Sequence, residues 1–170
     1  LKISHVDPKV VDDVIEALNE RYGKLDEVTV TRGKIHEYLG MTLDYSQDGK
    51  VSIRMDDYVN KVLEECPEDM SGVAATPAQD HLFQVAESGE KLNPERADTF
   101  HRIMAQLLFL CKRARPDLQT AVAFLTTRVA KSDEHDYKKL RRVIRYLRDT
   151  KGMHLTLGGG KLPGVQWWVD

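Results

Sequence analysis

Cysteine is scarce in this 170-residue chain: Cys66 and Cys111 are the only two, and they lie far apart. That usage fits a reducing compartment inside the cell and argues against a disulfide framework. Cys111 sits among apolar residues and reads as a small core hydrophobe. Six histidines (His5, His36, His81, His101, His135, His154) are scattered without ligand spacing, so no Cys/His zinc site is supported. No apolar run reaches bilayer-spanning length, which predicts no membrane contact. Leu1-Lys2-Ile3-Ser4-His5 has neither the charged n-region nor the apolar h-region of a signal peptide. A P-loop, a dinucleotide fingerprint and a nucleophile elbow are all lacking. Internal repeats and low-complexity tracts are also absent.

What the chain does have is an uneven charge. From His101 to Lys151 there are 13 Lys and Arg against five acids, a net of +8. The whole chain carries −2, so the remainder carries −10. A pI of 6.3 therefore conceals a basic helical region joined to an acidic one. Basic charge gathered on packed helices is the electrostatic footprint of a phosphate-backbone binder. Hydrophobic content of 41% and charged content of 31% are ordinary for a globular protein of one or two small domains.

Local patterns predict the elements. Asp7 as N-cap and Pro8 as N1 open a helix that Gly23 ends, with Val11, Ile15 and Leu18 (and Val14) as its buried stripe. Val28 to Thr31 reads as a short strand and Ile35 to Tyr45 as a second. A tight turn at Asp48-Gly49 returns the chain through Val51, Ile53 and Met55, giving a β-hairpin. Asp56 can cap a short helix carrying Val59, Val62 and Leu63. Pro67 to about Pro94 has turn residues and no periodicity, so it reads as a linker or extended crossing segment. Three helices follow. The first spans about Asp98 to Lys112, with Met104, Leu107, Leu108 and Cys111 inward. The second opens at Pro116, with Leu118, Ala121, Val122, Leu125 and Val129 inward. The third opens after Ser132 as N-cap, with Leu140, Val143, Ile144 and Leu147 on its apolar face. Met153 to Leu157 reads as a strand. Leu1 to Ser4 and Val165 to Asp170 also read as strands, so a piece of a longer chain is expected.

Three features carry candidate chemistry. Lys138, Arg141, Arg142, Arg145 and Arg148 share the polar side of the third helix with few interspersed acids. They read either as a solvated face or as a nucleic-acid surface. On the first of the three helices, His101, Ala105 and Phe109 recur every four residues, and Lys112 and Arg113 continue the line. A small residue between a polar and an aromatic one suits close approach to the wide, shallow minor groove of a duplex with RNA character; the alternative is that Ala105 and Phe109 are core. The adjacent acids Asp12-Asp13 superficially suggest a metal pair, but their place in the first turns of a helix favours a macrodipole role.

Several motifs resemble, in order, those of a copia-type LTR retrotransposon polyprotein. They are Lys34-Ile35-His36-Glu37-Tyr38-Leu39-Gly40-Met41-Thr42-Leu43-Asp44, Asp57-Tyr58-Val59-Asn60-Lys61-Val62-Leu63 and Thr76-Pro77. Phe100 to Leu110 followed by Ala114-Arg115-Pro116-Asp117-Leu118, and Arg145-Tyr146-Leu147-Arg148-Asp149-Thr150-Lys151-Gly152, complete the set. The resemblance runs over nearly the whole chain and places it from reverse transcriptase into the start of RNase H.

The resemblance implies an α+β fold: a partial reverse-transcriptase palm with a β-hairpin, a three-helix thumb, then C-terminal strands. Residues 1–66 would be the palm remnant and 67–96 the crossing segment. Residues 97–152 would be the thumb, and 153–170 a connection strand and the start of RNase H. Tyr38, Leu39, Gly40 and Met41 would form the primer-grip turn. His101, Ala105 and Phe109, with Arg102, Lys112, Arg113, Arg141, Arg142 and Arg145, would contact the duplex. Ala105 stands where the family usually has Gly, and His101 where it usually has a small polar residue or Gln. Asp170 would be one ligand of an incomplete RNase H metal site.

On this reading the chain binds an RNA–DNA hybrid or DNA primer–template beside the rest of the polyprotein. It lacks the Tyr-x-Asp-Asp hairpin and so has no catalytic residue of its own. Mg²⁺ would belong to the intact parent enzyme, with none bound to this piece, which is expected to be inactive alone. The rival expectation is a non-enzymatic nucleic-acid-binding module derived from a retroelement.

Overall fold

The computed structural model describes residue 3 and residues 5–159. The strand expectations at Leu1–Ser4 and Val165–Asp170, and Asp170 itself, lie wholly or almost wholly outside the described residues. The chain divides into two compact units between Gly33 and Lys34.

The first unit is one helix with an irregular tail. Helix α1 (Pro8–Tyr22) is capped by Asp7, whose carboxylate accepts from the Lys9 N–H at 2.9 Å, and Gly23 closes it. Its expected buried stripe is not buried. Val11, Ile15 and Leu18 are half-buried, Val14 is exposed, and no α1 residue reaches the core class. A lone amphipathic helix has no second layer of its own to cover the stripe. The strand expected at Val28–Thr31 is also missing. There the Val28 N–H donates to Asn19 Oδ1 at 2.9 Å, and Arg32 pairs with Asp12. Side-chain contacts to α1 take the place of a ladder, and Asp12 of the acidic pair is held by that guanidinium.

The second unit joins a sheet to a helical core. Strands β1 (Ile35–Tyr38), β2 (Met41–Asp44), β3 (Lys50–Arg54) and β4 (Leu155–Gly158) form an antiparallel sheet in the order β1-β2-β3-β4. The single strand expected over Ile35–Tyr45 is two strands. Tyr38 pairs with Met41, and the two residues between, Leu39 (φ 51°) and Gly40 (φ 74°), are both left-handed. This is the type I′ geometry, whose twist matches that of the flanking strands. The turn at Asp48-Gly49 forms as expected, with Gly49 at φ 68°. β4 pairs with β3 from Lys50↔Gly158 to Ile53↔Leu155, so the strand expected at Met153–Leu157 completes this sheet.

Helix α2 (Asp56–Glu64) buries Val59, Val62 and Leu63. Met55, rather than Asp56, is its N-cap, and Asp56 and Asp57 lie in the first turn, where acids suit the helix dipole. The crossing segment holds one short 3₁₀ turn (Glu68–Met70) and is otherwise irregular, yet it is not a free linker. Met70, Leu82 and Leu92 are buried in the core.

Helix α3 (Pro94–Cys111) begins earlier than the expected Asp98, because Asn93 accepts from the Arg96 N–H at 2.9 Å and Pro94 supplies N1. Pro116–Leu118 is a 3₁₀ turn leading into α4 (Gln119–Arg128). Helix α5 (Glu134–Asp149) is capped by Asp133, not by the expected Ser132. The Asp133 carboxylate accepts from the His135 and Asp136 N–H groups at 2.8 and 2.9 Å, and Asp136 reaches back in a capping box. Gly89 of the crossing segment abuts this cap: a Cβ there would lie 2.3 Å from Asp133 Oδ2. Inward residues of α3, α4 and α5, among them Leu107, Leu110, Leu125, Leu140, Ile144 and Leu147, are fully buried. Each such side chain contributes about 1.5–3 kcal/mol of burial free energy. Among the described residues no helix is long and apolar enough to cross a membrane.

Candidate nucleic-acid interface

The apolar face of α5 packs into the core and turns its basic side toward the crossing segment. Much of that basic side is therefore engaged. Arg145 Nε donates to Ser71 O at 2.6 Å, Arg142 Nη2 to Thr76 Oγ1 at 2.8 Å, and Lys139 Nζ to Gln84 O at 2.5 Å. Three cations thus clasp the irregular segment by satisfying oxygens that no ladder serves. Buried Asp136 takes up further charge, with Arg128 Nε at 3.0 Å and Lys139 Nζ at 3.7 Å. Arg141 and Lys138 make no ion pair or side-chain hydrogen bond among the described residues. The +8 of the sequence is consequently not all available to a ligand.

On α3, His101 and Ala105 are exposed and line one shallow surface with Arg102, Thr99, Glu95 and Asp98. The two acids moderate the positive potential there. Arg102 Nη1 is tied to Glu65 at 2.8 Å, and Gln106 Nε2 reaches the same carboxylate at 2.7 Å. The Gln106 amide, followed by the nearby Lys61 and Arg102 charges, holds Glu65 below the usual carboxylate range despite some opposing desolvation. Phe109 is half-buried. Its ring packs 5.1 Å from that of Tyr58, and the Arg113 guanidinium stacks over it at 3.7 Å. Lys112 is exposed at the C-cap. The line His101–Ala105–Phe109 thus runs from an open surface into a packed one, and Arg113 covers its end.

The β1–β2 turn presents Tyr38 and Leu39, 49% and 63% exposed, with Gly40 also open. Met41, one residue on, packs partly against the core. Thr42 Oγ1 donates to Glu37 Oε1 at 2.7 Å across the strand pair and steadies the turn from behind. Tyr38, Leu39 and Gly40 therefore project while Met41 anchors them. Among the described residues no group of three His, Cys, Asp or Glu is placed to hold a metal ion.

Over 172 aligned residues, 100% of this chain and 53% of the relative, the sequence is 27% identical to a transposon Ty5-1 protein of Saccharomyces cerevisiae strain S288c. This likeness supports a retrotransposon origin. The chain spans about half the length of that curated relative. No family model and no solved structure matches this retroelement-like chain.

Sequence reasoning missed the part that Arg115 plays in the retroelement-like chain. Arg115 is 1% exposed and holds Asp117 at 2.7 Å. The sequence signals were its place between Ala114 and Pro116, at the break between two helical patterns, and its membership of the Ala114-Arg115-Pro116-Asp117-Leu118 motif.

Proposed function

We propose that this chain is part of a retrotransposon reverse transcriptase and serves to hold and position a primer–template duplex, without carrying the nucleotidyl-transfer site itself. The observation that carries this reading is the transposon likeness over the full chain, joined to retroelement motifs that occur in the family's order. The geometry is compatible in two places. The β1–β2 turn projects Tyr38, Leu39 and Gly40, as a primer-positioning turn requires. The α3–α4–α5 bundle leaves Lys112 and Arg141 unpaired among the described residues and places Arg113 flat on Phe109. Copia-type ancestry and the palm and thumb assignments belong to this proposal. In the parent enzyme the polymerase chemistry would be supplied by metal-binding carboxylates that the described residues do not provide.

The test is binding of the chain to an RNA–DNA hybrid across a salt series. A log Kd that rises linearly with log salt, and affinity lost on Arg141→Glu with unchanged unfolding, supports the proposal. Arg141 is the informative position because, unlike Arg142 and Arg145, it holds no part of the crossing segment. Absence of binding at low salt overturns it.

A further inference from the structure

Between the crossing segment and the first turns of α5 lies a cavity of about 90 Å³, lined in part by His81, His135, Lys138, Lys139 and Arg142. It exceeds the roughly 30 Å³ a water molecule occupies in the liquid, so it has room for a small oxyanion. None of its lining residues is acidic. The remaining walls are Pro77, Ala78, Leu82 and the neutral amide of Gln79, so no negative charge in the lining opposes an anion. Within this lining Lys138 has no partner among the described residues. Arg142 Nε is buried without an acceptor, although its Nη2 is bonded to Thr76. A buried guanidinium N–H without an acceptor costs free energy that an anionic oxygen would recover. Asp136, outside the lining, lies 3.7 Å from Lys139 Nζ and leaves the other cations uncancelled.

We propose that this cavity binds a phosphate group. Phe83 follows Leu82 of the lining and is 63% exposed, edge-on to Phe124 at 5.4 Å; Lys139 Nζ lies 5.0 Å from the Phe124 ring. An exposed ring next to a phosphate site is a stacking surface for a base. The source of the phosphate is therefore either a nucleotide or the free anion. The lining shares Arg142 and the α5 polar face with the expected duplex contacts, but it includes no residue of the His101–Ala105 surface or of the β1–β2 turn.

The experiment is a titration of the full chain, followed by amide and histidine NMR shifts. Inorganic phosphate, a nucleoside 5′-monophosphate and the matching nucleoside are added separately. Saturable shifts confined to residues 77–82 and 135–142, weakened about tenfold by Lys138→Ala at unchanged thermal unfolding, support the site. Tighter binding of the nucleotide than of inorganic phosphate, with the difference abolished by Phe83→Ala, assigns it to a nucleotide. Equal binding assigns it to the free anion. Shifts that never saturate, or that spread over all basic residues and ignore Lys138→Ala, overturn the proposal.

Discussion

Arg115 Nη1 donates to the main-chain oxygen of Thr150 at 3.0 Å, while its Nη2 donates to the Thr150 hydroxyl at 2.6 Å. One planar fork thus joins the α3–α4 junction to the C-terminus of α5, where the last carbonyls lack helical partners. The same guanidinium holds Asp117 through Nε and Nη2. Two stretches distant in sequence, Arg115-Pro116-Asp117 and Asp149-Thr150, therefore form one structural joint.

Arg115→Met should lower the unfolding free energy by about 3 kcal/mol, because it leaves Asp117 and the α5 terminus without their cation. Arg115→Lys should recover only part of it, since an ammonium cannot reproduce the fork. Denaturant midpoints at constant m-value check both. Acid gives a second readout. Burial alone would push Asp117 up, but the Arg115 hydrogen bonds and charge hold it below the usual carboxylate range. The contribution is thus present above the ordinary carboxylate pKa of about 3.9 and lost as pH falls through the lower folded value. The wild type should lose stability there more steeply than Arg115→Met.

Arg145→Ala should free the crossing segment before it harms the helices. Its Nε bond to Ser71 O and the Arg142 bond to Thr76 close over residues 71–76. A loss of about 1–2 kcal/mol is expected for a charge-assisted hydrogen bond. Hydrogen exchange should accelerate at residues 71–76 and not in α3. Arg141→Ala should stay within about 0.5 kcal/mol of wild type.

Leu39 occupies a left-handed conformation that suits Asn or Gly better than a branched side chain. Leu39→Asn is expected to stabilise the β1–β2 turn by about 0.5–1 kcal/mol, and Gly40→Ala, at φ 74°, to destabilise it by a similar amount. If the turn positions a primer, Leu39→Asn will weaken hybrid binding while raising the melting temperature. Binding that rises or stays level with stability would show that Leu39 has no such role.

Burial pushes the Cys66 thiol up to about 11, against weaker opposing effects of Arg148 and Arg102. The thiolate is therefore rare at neutral pH. Iodoacetamide should modify Cys66 in the native chain at least roughly tenfold more slowly than a free cysteine at pH 8, with the rate climbing only as pH approaches 11. Stability linked to this group is present below the unfolded thiol value and lost as pH rises toward the folded one.

Most elements were legible because their causes are local. Asp7-Pro8 and Gly49 set caps or dihedrals within a few residues, and Leu140, Val143, Ile144 and Leu147 repeat with the helical period. Even so, Asp133 rather than Ser132 caps α5, because the capping box and the contact with Gly89 select it. Two left-handed residues in succession broke the apparent strand at Leu39-Gly40. The transposon likeness, too, rests on sequence alone.

What only the tertiary structure decided is how the charge is used. Periodicity placed Arg142, Arg145 and Lys139 on a polar face, but it could not show that an aperiodic segment would lie across that face with oxygens to satisfy. Nor could it show that Arg115 would be buried at a three-way joint, or that β4 would pair with β3. A side chain's period is fixed by its own backbone, whereas its partner is set by which distant segment the core brings within hydrogen-bond reach.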